Sequence, residues 1–151
     1  MNFEQHLKSI QDEKIKELTN KAFCQNGEFQ TDAVNVADWV DFVLTNDKLI
    51  AENSHALFVD VLKSAALLHN LTYSYGKDEF DEVFKTRKIL FELNKSINIP
   101  ETYLESICQT IEGQLGKDHP MVLLIPNPNT PGAHFSLACS IYYKTGSTIN
   151  K

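Results

Sequence analysis

The stretch from Ser54 to Leu71 constrains this chain more than any other. Leu57, Phe58, Val61, Leu62, Ala65, Leu68 and Leu71 recur at the i, i+3, i+4 spacing of one helical face, sustained over several turns. The spacing predicts a central helix around which the rest of the chain packs.

The flanking segments carry the same period. Phe3, Leu7, Ile10, Ile15 and Leu18 predict an N-terminal helix within residues 1–25, which the polar stretch Cys24 to Thr31 ends. Thr31 or Asp32 can cap a second helix carrying Val34, Val36, Trp39, Val40, Phe42 and Val43 and ending near Asn46. Beyond a turn over Tyr73 to Lys77, the residues Phe80, Val83, Phe84, Ile89, Leu90 and Leu93 predict a helix broken before Pro100. Pro100 suits the first position of the next helix, through Tyr103, Leu104, Ile107, Cys108 and Ile111 to Gly113 or Gly116.

Four of the five prolines then fall between Gly116 and Gly132, which predicts a long ordered loop. Its apolar run, Met121 to Ile125, is expected to lid or plug the core. Thr130 and Pro131 start a last helix through Phe135, Leu137, Ala138, Ile141 and Tyr142, and the tail from Thr145 to Lys151 frays. Strand-like alternation is nowhere sustained. The expected architecture is all-α, one domain over residues 1–151, a bundle of about five to six helices with the Pro-rich loop before the last.

Charge and cysteine usage narrow the function classes. A net charge of −6 without a clustered Lys or Arg stripe argues against long nucleic acid as a ligand. There is no apolar signal core and no run of about 18 apolar residues, so no membrane association is expected and the cytoplasm is the expected compartment. Cys24, Cys108 and Cys139 are widely spaced and form no CxxC pair, the pattern of free and mostly buried thiols.

Chemistry concentrates at the end of the central helix, where Leu67-Leu68-His69-Asn70-Leu71 places an amide beside an imidazole. With the YGKDEFDE stretch, the IEGQLG helix end before the Pro-rich loop, and the closing helix HFSLACSIYY, this resembles the HD-domain superfamily of all-helical metal-dependent phosphohydrolases. The likeness is to small single-domain versions met in bacteria and their phages, and it covers nearly the whole chain.

The resemblance implies a metal held by an early His, a His-Asp pair and a late Asp, with further His residues for a second ion. At those positions this chain carries Asn35, the pair His69 and Asn70, Val83, Gln114 (or Gly113) and Cys139, and Tyr73 where a Lys often follows the pair. Only His69 retains a standard ligand. An amide or thiol in place of a carboxylate cancels less of a hard cation's charge, and one imidazole does not hold a divalent metal tightly.

Substitute ligands have competing explanations. His55 lies almost four turns before His69, roughly 21 Å away along a continuous helix. His119 in the long loop and His134 at the start of the last helix could reach a cavity near His69. His69, His134, Cys139 and one of Asp78, Glu79, Asp81 or Glu82 would make a zinc-favouring set. Acidic residues at a helix start are equally accounted for by the helix dipole, and a histidine ending an apolar helix by a core hydrogen bond.

The resemblance therefore implies a catalytically silent scaffold with no bound metal, retained to bind a protein or small ligand. If phage-encoded, it would be a virion-associated or host-modulating accessory protein, in the virion or host cytoplasm. The alternative is a divergent phosphohydrolase using manganese, iron or zinc on a nucleotide or other phosphate ester.

Overall fold

The computed structural model describes residues 2–25, 30–46, 56–71, 79–113 and 131–146. Seven helices make up the described chain: α1 (Phe3–Ser9), α2 (Glu13–Gln25), α3 (Gln30–Asn46), α4 (Ala56–Leu68), α5 (Glu79–Ile97), α6 (Glu101–Glu112) and α7 (Pro131–Thr145). No strand occurs among the described residues. The all-α expectation holds.

The central helix is α4. Every residue from Asp60 to Leu71 is buried, because α1, α2, α3, α6 and α7 all pack against it. Its apolar side chains join Ile15, Leu18, Val36, Leu104, Ile107 and Phe135 in one contiguous core. The outer helix α5 lies against α2 and α6.

The N-terminal segment divides where the sequence pattern suggested one helix. Asn2 and Gln5 form a reciprocal capping box at the start of α1, and the chain turns extended at Ile10. Asp12 then accepts the Ile15 N–H at 2.9 Å and starts α2 afresh. The break is fixed from outside as well: the Asp60 carboxylate of α4 accepts the N–H groups of Gln11 and Asp12, each at 2.9 Å. Apolar periodicity continues through the bend, since Ile10 and Ile15 are both buried. A count of apolar residues therefore passes over it. With this bend the described residues alone form seven helices, where about five to six were expected for the chain.

Other boundaries differ by a residue or two. Helix α3 begins at Gln30, so Thr31 and Asp32 lie in its first turn rather than before it. Pro100 caps α6 instead of opening it, its carbonyl accepting from Tyr103 and Leu104 at 2.9 and 3.1 Å. Before it, Asn98 adopts a left-handed φ of 64°, and Asn94 braces the turn through both amide atoms to the backbone of Ile99. At the end of α7, Gly146 takes φ 66° and donates its N–H to Tyr142. A glycine meets that left-handed conformation without steric cost.

Helices α5 and α6 are joined at the surface by Arg87, whose Nη1 donates to both Glu105 oxygens at 2.8 and 2.7 Å. Its Nη2 reaches Glu112 at 2.5 Å. Ser136 of α7 donates to the carbonyl of Gly113 at the end of α6.

Candidate functional site

His69 stands one residue beyond α4, where the last helical carbonyls lack partners within the helix. Its Nδ1–H donates to the carbonyl of Ala66 at 2.7 Å. A carbonyl can only accept, so the proton sits on Nδ1 and, in the neutral ring, Nε2 accepts the hydroxyl of Tyr143 at 2.6 Å. Phe135 and Tyr143 meet the imidazole edge-on, with centroids 5.6 and 5.8 Å away. The ring is buried and both nitrogens are used inside the protein.

The other motif positions are built into packing. Asn35 of α3 donates to the hydroxyl of Tyr142 at 3.2 Å, and that hydroxyl donates to Asp32 at 2.7 Å. Burial and the Asp32 carboxylate together push the Tyr142 phenol above its ordinary range. Since Tyr142 and Tyr143 are neighbours whose rings meet edge-on, Asn35 and His69 reach adjacent residues of α7. Asn70 is buried. Val83 is buried on α5, and Cys139 is fully buried within the apolar core.

The substitute set does not assemble among the described side chains. His134 is buried on α7 and donates from Nε2 to the Val40 carbonyl at 3.3 Å, edge-on to Phe58. No group of three His, Cys, Asp or Glu positioned for a metal occurs among the described residues. Gln114, His119, His55, Tyr73, Asp78 and the Met121 to Ile125 run lie outside the described residues, as do the side chains of Glu79, Asp81 and Glu82.

A second polar cluster, which apolar periodicity does not reveal, lies under α1. His6 is fully buried between two opposite charges. Its Nε2–H donates to Asp38 at 2.8 Å, and its Nδ1 accepts from the Lys63 ammonium at 2.9 Å. Lys63, only 2% exposed, also donates to both oxygens of Asp41 at 2.5 Å. Asp41 is the most exposed member, its side chain 31% accessible against 10% for Asp38.

The chain of donors fixes the charge states. An ammonium has no lone pair, so Nδ1 must be the acceptor and Nε2 must carry the proton. Burial, followed by the Lys63 charge, holds the His6 imidazole below its ordinary range. Burial opposes ionisation of Asp38, yet the hydrogen bond and charge of His6 help hold its carboxyl below the usual carboxylate range. The cluster is thus carboxylate, neutral imidazole, ammonium, carboxylate.

Its signal in the sequence is the pair Asp60 and Lys63, the two charged residues of the mostly apolar run Val59 to Leu68. Charges buried with a central helix need partners. Asp38 and Asp41, spaced i, i+3 on α3, supply those of Lys63 and His6.

No family model, curated protein or solved structure matches this chain.

Proposed function

We propose that this chain is a catalytically silent HD-like helical domain, its scaffold retained for binding a protein or small ligand rather than for phosphate-ester hydrolysis. The observation that carries the reading is the double engagement of His69. An imidazole whose Nδ1–H is spent on the Ala66 carbonyl and whose Nε2 is spent on Tyr143 has no lone pair left for a cation. The amide of Asn35 is tied to Tyr142, and Cys139 is buried in the apolar core. A metal-activated water needs several such groups converging with an open coordination position.

The place a ligand would meet is the last turns of α7 beside the end of α4. Tyr143 is 38% exposed there, and its ring offers an aromatic face held in one orientation by His69. Stacking of a planar ligand on such a face needs no metal and no general base.

Elemental analysis of untagged protein, after incubation with manganese, iron or zinc and dialysis, tests the silent reading. The expected result is no retained metal, with His69→Ala lowering stability. Near-stoichiometric metal that disappears in His69→Ala would overturn it in favour of the divergent hydrolase.

A further inference from the structure

We propose that the buried cluster beneath α1 is an acid-sensitive latch: protonation of His6 at Nδ1 exchanges its partner from Lys63 to Asp41 and loosens α1 from the bundle.

The geometry allows Nδ1 only two neighbours of opposite sign. In the neutral ring Nδ1 accepts from Lys63 at 2.9 Å, and the nearer Asp41 oxygen already stands 3.5 Å from the same nitrogen. A proton added at Nδ1 turns it into a donor facing another donor, and sets two positive charges side by side in a buried site. Lys63 must then withdraw, while Asp41 is close enough to accept from the new N–H. Because Asp41 is the most exposed member of the cluster, the displaced ammonium has a route outward past it.

The groups facing His6 come from the elements packed on α1. Helix α3 supplies Asp38 and Asp41, and α4 supplies Lys63, with Asp60 holding the Gln11 and Asp12 amides at the far end of α1. On α2 the buried Thr19 hydroxyl is paired with Ser64 of α4 and does not ionise. Helix α1 has seven residues, too few to be stable unsupported. Its own hold on the bundle is Leu7, the stacking of Phe3 on Phe23 at 3.7 Å, and His6. Loosening it bares the apolar floor beneath Leu7 and Ile10.

The sign follows from the direction of the His6 shift. Its folded value lies below the ordinary imidazole value of 6.5, so the released ring takes up a proton first. Docking is complete above that value and weakens as pH falls through it.

Backbone amide exchange of α1 and α2, corrected for the intrinsic pH effect, tests the latch above and below the ordinary imidazole range. NMR of the His6 ring reads its tautomer. A neutral ring protonated on Nε2 is expected, with α1 exchange rising severalfold on acidification while mid-α2 amides stay protected. In His6→Gln, which cannot titrate, the rise disappears. In Lys63→Met the donor clash is gone and the protonated ring pairs with Asp38 and Asp41, so acidification slows α1 exchange instead. An Nδ1–H tautomer, unchanged α1 exchange, a rise surviving in His6→Gln, or the same sign in Lys63→Met would each overturn the proposal.

Discussion

The ammonium of Lys63 points at Nδ1 of His6 from 2.9 Å away, across 57 residues of sequence, and binds Asp41 on its other side. Removing one partner from a buried charge pair leaves the other without compensation, which costs about 3–5 kcal/mol. Lys63→Met should fall at the lower end, near ~3 kcal/mol, since Asp41 can rehydrate. Asp41→Leu combined with Lys63→Met should cost less than the two single changes summed. Urea unfolding of the four proteins closes that cycle.

Asp60 makes a different prediction because it receives two backbone N–H groups, one on each oxygen. In Asp60→Asn the side-chain NH2 must face one of those donors. A loss of about 2 kcal/mol is expected from one forfeited charge-assisted bond and one buried amide left without an acceptor. The check is the urea midpoint at unchanged slope.

At the motif position, Tyr143→Phe removes the hydroxyl on His69 Nε2 but keeps the ring. Water can reach this half-open site, so about 1 kcal/mol is expected. His69→Ala also empties buried volume between Phe135 and Tyr143, and about 3 kcal/mol is expected. Thermal unfolding of both proteins should rank them in that order.

Much of the fold was legible in the sequence because helical period survives in nearly every apolar face, and the central position of Val61, Leu62, Ala65 and Leu68 followed from it. The bend at Ile10 to Asp12 was not, because its cause is a carboxylate 48 residues away from Asp12. That Asn70, Val83 and Cys139 carry neither a carboxylate nor an imidazole could be read residue by residue. What occupies His69 instead could not, since Tyr143 lies 74 residues further on. The apolar pattern of residues 3–10 does not mark His6, which is buried by α3 and α4 closing over it.

The thiols divide by burial. Cys24 is exposed, whereas Cys108 and Cys139 are buried, and burial pushes the Cys108 thiol up to about 12. A thiol reagent should modify Cys24 rapidly in the native protein and reach the other two only on unfolding. Mass mapping after a timed pulse checks the assignment.

Acid should destabilise the protein in two successive windows. As pH falls below 6.5, the unfolded chain protonates its histidine before buried His6 does, and stability declines toward the lower folded value. Asp38, whose folded value lies below 3.8, contributes stability that is present above 3.8 and is lost as pH drops through the folded value. Urea titrations across pH should show the first window shrink in His6→Gln and the second persist.

The Asp60 carboxylate also imposes an order on synthesis. The bend between α1 and α2 takes its outside hold from an acceptor 49 residues downstream of Gln11, so a nascent chain ending before α4 has only the Asp12 cap at that corner. The seam of α3 with α7 waits longer still, for Tyr142, 110 residues beyond Asp32. Until then the face of α3 that carries Asn35 must be sheltered by something other than its final partner, and that interval is when a growing chain is most exposed to chaperone capture.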